Sequence, residues 1–181
     1  MAFTIPEGLH EDLYPLAWMV GTWPGAGKLI NLGGLGVHFK ISGEQTGGLL
    51  AIVEHPIEPG RLVPPHVHRN EDEYSYVLEG HIGARIGDQI LEAGPGSYVI
   101  KPRNIPHTFW NVGPEPARLI EIITPAGFDL FFHELGDLAA TSTPEEFGMA
   151  RAELGARYDQ DFVDGWAEEL KQRYGLKLLG E

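Results

Sequence analysis

The sequence contains no cysteine, few basic residues and no long apolar run, and each absence excludes a class of protein. Without cysteine there is no disulfide framework and no thiolate metal ligand, although this alone does not fix the compartment. Thirteen Lys and Arg residues face 26 Asp and Glu residues, and the formal net charge is −13. A surface of that sign repels phosphate backbones and anionic lipid, so we expect no nucleic-acid or membrane partner. No stretch approaches the length of a bilayer span, and the first residues lack the segments of a secretion signal, which predicts a soluble cytoplasmic protein.

The 181 residues suit one domain with a sizeable core, and most of them lie in short runs typical of strands. The 24 Gly and 14 Pro residues fit many strands joined by turns. The runs are GKLINLG, GVHFKIS, LLAIVEHPIE, EYSYVLEG, HIGARI, QILEA, SYVIK, HTFWNV and RLIEIIT. Their close spacing, with no helical periodicity between them, predicts an antiparallel sandwich or barrel over residues 26–125.

The flanks of this region differ from it in character. Residues 1–25 include the apolar stretch LYPLAWMVGTW, bounded by prolines, which we interpret as an arm that packs on the barrel or on a second subunit. The alternative is that Trp18 or Trp23 lines a site. We expect a homodimer, with this arm as a possible swapped element. We predict that residues 126–181 form a helical extension of the same domain.

The extension carries signals for three helices. The first is amphipathic, with apolar residues three and four positions apart: Phe128, Phe131, Phe132 and Leu135. Thr143 begins a capping box, TPEE, for a helix to about Tyr158, and we expect Asp161 to cap a last helix through Tyr174, with Gly175 as its stop. From Thr143 onward nine acidic residues oppose five basic ones, which argues against a DNA-reading helix-turn-helix. We expect the extension to pack on the outside of the barrel.

The segment GRLVPPHVHRNEDEYSYVLEG, residues 60–80, holds the chemistry of the chain. His66 and His68 are two apart, so on a strand both project from one face and can reach one point. Imidazoles bind divalent transition metals, and Glu73 from the following turn would add a third donor. A fourth candidate, His107, begins a later strand-like run in PRNIPHTFWN.

These residues resemble the two sequence motifs of the cupin superfamily. The first motif is a Gly, five residues, His-x-His, four residues, Glu, six residues and Gly, and it is met by Gly60, His66, His68, Glu73 and Gly80. The second is a Gly, five residues, Pro-x-Gly, two residues, His, three residues and Asn, and it is met by Gly96, Pro102, His107 and Asn111. Asn104 replaces the usual Gly, and Asn tolerates a left-handed backbone better than most residues.

The resemblance implies an all-β cupin double-stranded β-helix, or jelly-roll barrel, with the C-terminal helices packed outside. It also implies that His66, His68, Glu73 and His107 bind one divalent transition metal ion per chain, since clustering four ionisable groups in a barrel without a cation would be costly. Iron, manganese, nickel, cobalt, copper and zinc all suit these donors. Glu71 and Asp72 are rival donors that we expect in the turn, facing solvent.

Two further segments, EDEYSYVLEG and TPAGFDLFFHEL, resemble the quercetin 2,3-dioxygenase-like group of single-barrel cupins. This resemblance implies a metal-dependent dioxygenase that opens a flavonol ring, with Glu73 acting both as ligand and as the base that deprotonates the substrate hydroxyl. Fold does not determine substrate, so two alternatives stay open. One is a non-oxidative isomerase, lyase or cyclase, and the other is a small-molecule-binding cupin without catalysis.

Strand parity predicts part of the pocket wall. If Glu73 points inward, Ser75 and Val77 do too, and if His107 points inward so does Phe109. The pocket is therefore predicted to involve Val77, Phe109, Phe128, Phe131 and Phe132, the last three being either plain core or a lid over an aromatic substrate. The other histidines match no ligand position and are predicted to be structural or surface residues: His38, His55, His81 and His133.

Overall fold

The computed structural model describes residues 29–181, and the predicted arm with Trp18 and Trp23 lies outside the described residues. The described chain forms short strands followed by helices. The strands are β1 (Leu29–Asn31), β2 (Gly36–Ile41), β3 (Ala51–Ile57), β4 (Arg61–Leu62), β5 (His66–His68), β6 (Asp72–Glu79), β7 (Ile82–Ile86), β8 (Gln89–Ala93), β9 (Tyr98–Lys101), β10 (His107–Asn111), β11 (Ala117–Thr124), β12 (Gln160–Phe162) and β13 (Lys177–Leu178). The helices are α1 (Asp129–Thr141), α2 (Pro144–Arg157) and α3 (Trp166–Tyr174).

The strands form two sheets that enclose one main apolar core. One sheet has the order β1-β2-β3-β11-β6-β9, and the other has the order β12-β5-β10-β4-β13, with β7 paired to β10 and β8 paired to β7. The pairings are antiparallel except for β13 with β4. The main core takes apolar side chains from both sheets and from α1. The predicted all-β double-sheet barrel with C-terminal helices is confirmed.

The alternation of side chains along β6 and β10 determines which of them face the interior of the barrel. Along β6, Glu73, Ser75 and Val77 are buried while the residues between them are half-buried, as the parity predicts. On β10, Phe109 joins the main core, whereas Trp110 faces the other way and is buried in a second cluster with Leu170 of α3.

The left-handed position predicted at Asn104 is present. Its φ is 63°, and its backbone N–H donates to the carbonyl oxygen of His68 at 2.7 Å. The turn before β10 is therefore tied directly to the strand that carries the first two histidines.

The C-terminal extension agrees with the predicted helices in two places and differs in one. The capping box is formed, with the Thr143 N–H donating to Glu146 Oε2 at 2.9 Å, and α3 ends at Gly175, whose φ is 68°. The prediction that Asp161 caps the last helix is wrong. Asp161 lies in β12, where it pairs with Arg69 at 2.7 Å, because residues 160–162 satisfy the open edge of β5. No helix within residues 29–181 is long and apolar enough to cross a membrane.

Candidate metal centre

Four side chains from three strands meet inside the barrel. His66 and His68 lie on β5, Glu73 near the start of β6 and His107 at the start of β10, directly opposite His66. One ligand atom from each lies within 4.8 Å of the others, and all four residues are buried. The structure therefore brings together the four donors that the sequence motifs indicate, in a group that could hold a metal ion.

Backbone hydrogen bonds fix how two of the imidazoles point. His66 Nδ1 lies 2.7 Å from the Pro64 carbonyl oxygen, and His107 Nδ1 lies 3.0 Å from that of Ile105. A carbonyl only accepts, so each Nδ1 carries the proton and each Nε2 presents a lone pair. Orientation of this kind by a backbone carbonyl is typical of metal-binding histidines.

The unprotonated ring nitrogen of His107 indicates that a cation belongs at this site. His107 Nε2 is buried without a hydrogen-bond donor and stands 3.3 Å from Glu73 Oε2. An unprotonated ring nitrogen and a carboxylate oxygen are both acceptors, so they repel at this distance unless a cation lies with them. His68 Nε2 is likewise buried without a partner, 3.3 Å from Glu73 Oε1. The residues present fit a divalent metal ion.

The two rival donors, Glu71 and Asp72, lie in different environments. Asp72 faces outward and pairs with Arg103 at 2.8 Å. Glu71 is instead buried, and its Oε2 lies 3.7 Å from Nδ1 of His68, so the prediction that it faces solvent is wrong. The 3.7 Å separation is too long for a hydrogen bond, and both atoms are buried without a hydrogen-bond partner, so Glu71 is a further buried carboxylate close to the site.

A buried ion-pair network lies behind Glu73 and was missed by the sequence reading. The Lys101 ammonium lies 2.9 Å from Glu73 Oε2 and 2.6 Å from Glu121 Oε2, and the Ser75 hydroxyl donates to Glu121 at 3.0 Å. All of these side chains are buried. One signal was available, because Glu121 occupies an inward position in the alternation of β11 between Leu119 and Ile123.

The charges in this network follow from burial and from neighbours. Burial alone would raise the pKa of Glu73, but the Lys101 ammonium and the nearby imidazoles hold it well below its usual range. Burial raises the pKa of Glu121 to about 7, and this effect exceeds the opposing effect of Lys101, which is shared between two carboxylates. Burial also lowers the pKa values of His66 and His107, so both rings are neutral at pH 7, as metal binding requires.

A cavity of about 70 Å³ opens beside the cluster, with His66, Glu73 and Glu121 on its wall. The predicted pocket residues that line it are Phe109, Phe128, Phe131 and Phe132. Val77 is not among them. It is fully buried in the core opposite Leu119.

The remaining histidines differ in their surroundings. His55 is buried, its Nδ1 contacts the Gly36 carbonyl oxygen at 2.8 Å, and burial lowers its pKa to about 4. It therefore has the structural bond expected of it, but it also lines the cavity, which the sequence reading did not foresee. His133 stacks on Phe39 at 3.8 Å between ring centroids, and His81 is exposed.

The C-terminal extension forms another part of the cavity wall. Phe147 and Arg151 come from α2, and Gln160 and Phe162 come from β12. β12 pairs with β5 in the register Gln160 to His68 and Phe162 to His66, so the extension is hydrogen-bonded to the strand of the two histidines. A lone arginine on a helix and a three-residue strand give no recognisable sequence signal.

Comparison with known proteins agrees with this fold. Residues 54–123 match the family described as "Cupin domain". A predicted oxalate decarboxylase from Thermotoga maritima superposes with a TM-score of 0.52 at 19% identity, over 59% of this chain and 97% of that one, which is a likeness of fold. Residues 54–123, which contain the His and Glu cluster, are therefore similar in sequence to cupin domains, and the barrel is similar in fold to a cupin.

Two curated relatives match in sequence. Quercetin 2,3-dioxygenase of Aspergillus japonicus is 28% identical over 112 residues, which are 58% of this chain and 32% of that protein. The tetracenomycin polyketide synthase protein TcmJ of Streptomyces glaucescens is 30% identical over 80 residues, 44% of this chain and 52% of that protein. The matches thus span from a third to about half of the length of these relatives.

Proposed function

We propose that this protein is a metal-dependent cupin enzyme, a quercetinase-like dioxygenase that acts on a flavonol or a related enolic or phenolic small molecule. The observation that carries the proposal is the cluster of three histidines and one glutamate at the wall of a cavity lined mainly by aromatic and aliphatic side chains. Such a pocket, with few convergent polar groups, is typical of small-molecule sites. The partial match to quercetin 2,3-dioxygenase supports the reaction class.

His66, His68, Glu73 and His107 would hold the metal ion. A divalent transition ion on these four donors supplies Lewis acidity and open coordination positions for an oxygen donor. Iron, manganese, nickel, cobalt, copper and zinc remain equally compatible with this donor set.

Glu73 is proposed as the base as well as a ligand. Lys101 keeps its carboxylate ionised, and the ionised form is the one that accepts a proton. A carboxylate with so low a pKa is a weak base, so it suits the acidic proton of an enol or phenol far better than a hydrogen on carbon. The electrostatics of the site thus support the enolic or phenolic class of substrate.

The volume of the cavity limits the size of the enolic or phenolic substrate. A volume of about 70 Å³ has room for about five water molecules, which is less than a three-ring flavonol occupies. The cavity as it stands favours the smaller enols and phenols, and a flavonol would require Phe128 and its neighbours to move outward.

A second candidate is a non-oxidative isomerase, lyase or cyclase, and Glu121 is the observation that favours it. Its carboxyl group lines the same cavity with a pKa of about 7, so it can carry a proton at neutral pH. Reactions that move a proton from one substrate atom to another use two such groups, and Glu73 and Glu121 would form the pair.

The test is Glu73→Gln measured against wild type for metal content, substrate affinity and oxygen uptake on one preparation. We expect the metal-replete variant to bind substrate but to turn it over at least about a hundredfold more slowly, since lost general-base catalysis costs about 10²- to 10⁴-fold. Glu92→Gln on exposed β8 is the matched control and should be unaffected. Near-normal turnover at full occupancy would remove Glu73 as the base. In wild type, turnover without oxygen uptake would favour the non-oxidative hypothesis, and substrate binding without any turnover would favour a binding module.

A further inference from the structure

Beyond the metal donors, the cavity has a second polar feature, at the side formed by the C-terminal extension. Arg151 of α2 lines the cavity, and its guanidinium carbon lies 5.0 Å from the centroid of the Phe162 ring. Its Nε is buried and makes no hydrogen bond. This cation therefore stands against an aromatic face inside the cavity, with donor capacity left unused.

Arg151 has no counter-ion among residues 29–181, where no ion pair involves it. The two carboxylates of the same cavity, Glu73 and Glu121, are both engaged by Lys101. Arg151 is half-buried, an arginine stays protonated in proteins, and taking even part of such a charge out of water without a partner is costly. An anion bound in the cavity would offset that cost.

Gln160 adds an independent observation at the same place. The residue is only 5% exposed, it lines the cavity, and its side-chain oxygen is buried without a hydrogen-bond partner. Buried amide groups are normally satisfied, and an exception indicates a missing partner. The amide can present either its oxygen or its NH₂ group, so it can donate to an anion in the cavity that Arg151 also lines.

The register of β12 puts this feature next to the metal donors. Phe162, on which Arg151 stacks, pairs with His66, and Gln160 pairs with His68. One small ligand could therefore contact the donor cluster with one end and the guanidinium with the other.

We propose that Arg151 and Gln160 form an anion-recognition subsite, and that the natural ligand is a small acid with a carboxylate at one end and an enolic or phenolic oxygen at the other. The enolic or phenolic oxygen at the other end of the ligand is assigned from the proposed function, on which this part of the inference rests. The carboxylate end rests only on the arginine and the glutamine.

The experiment is calorimetric titration of the full chain loaded with zinc, which is redox-inert and prevents oxidative turnover. The probes are 4-hydroxybenzoate and 4-hydroxycinnamate, each compared with its neutral amide. We expect at least one acid to bind about tenfold to a hundredfold more tightly than its amide, the range for hydrogen bonds to a charged group. Arg151→Met, which keeps the length and helix propensity of the side chain, should abolish the preference while zinc content stays at the wild-type level.

Two further variants make the test specific. Arg157→Met removes an exposed arginine of the same helix, whose partner is Glu134, and it should keep the preference. Gln160→Glu introduces a carboxylate into the wall of the cavity that Arg151 also lines, and it should weaken binding of the acids without weakening that of the amides. Both are compared with wild type by thermal unfolding to confirm that they fold.

Three results would overturn the proposal: equal binding of acid and amide by wild type, no binding of either acid, or a preference that survives in Arg151→Met. Failure of the proposed function gives a different result, because the protein would then bind no metal or turn over no substrate. The Arg151-dependent preference is then tested in His66→Ala protein, where its persistence supports the subsite independently of the metal.

Discussion

Lys101→Met is the substitution that tests the charge network most directly. The ammonium is 1% exposed and contacts carboxylate oxygens of Glu73 and Glu121 at 2.9 and 2.6 Å. Methionine has a similar length and fits an apolar interior, so the change removes the charge and little volume. It leaves two buried carboxylates close together with no cation in the metal-free protein.

The expected cost is large for a single substitution. Removing one partner of a buried ion pair destabilises a protein by about 3–5 kcal/mol, because the remaining charge is left uncompensated. Urea unfolding of metal-free protein measures this cost. Lys40→Met is the control, since Lys40 pairs with Glu54 at 2.8 Å on the partly exposed face of the same sheet and should cost under about 1 kcal/mol.

The double variant Lys101→Met, Glu121→Gln separates charge from packing. It removes one of the two orphaned carboxylates, so it should recover at least half of the lost stability. Saturating divalent metal should also reduce the penalty, because the ion provides the missing positive charge. If Lys101→Met costs no more than Lys40→Met, or if the second substitution recovers nothing, the proposed role of the ammonium is refuted.

Three further results are expected. His66→Ala should remove most of the bound metal, measured by elemental analysis, and lower the melting temperature; a fully loaded variant would disprove the ligand assignment. Glu71→Gln should weaken metal affinity by about tenfold to a hundredfold, the usual effect of losing an outer carboxylate behind a ligand histidine, and unchanged affinity in a competition titration with a chelator would contradict this. The protein should bind no DNA at moderate salt, because of its net charge of −13, and a salt-dependent shift in a fluorescence anisotropy titration would refute that expectation.

The parts predicted well from sequence are those that depend on local chemistry. Period-two alternation placed Glu73, Ser75 and Phe109 on the inside, and the spacing of the two motifs identified donors that the fold brings within 4.8 Å. The capping box at Thr143 and the left-handed Asn104 were predictable for the same reason, since each is decided by a few neighbouring residues.

The parts missed depend on partners far away in the chain. Nothing in the extension indicates that residues 160–162 form a strand, because that strand exists only where it meets β5, about ninety residues earlier. Lys101 resembles an ordinary strand-end lysine until β6 and β11 bring Glu73 and Glu121 to it. The polar turn predicts that Glu71 faces solvent, whereas the fold buries it close to His68.

The pairing of β12 with β5 makes the metal donors and the C-terminal extension one thermodynamic unit. Coupling between two equilibria is reciprocal, so an ion that restrains His66 and His68 also tightens the docking of residues 160–162. Detachment of that short strand would in turn loosen both imidazoles and expose the edge of their sheet. Metal binding would then slow hydrogen exchange at the amides of β12, which lie far from β5 along the chain, before any substrate is present.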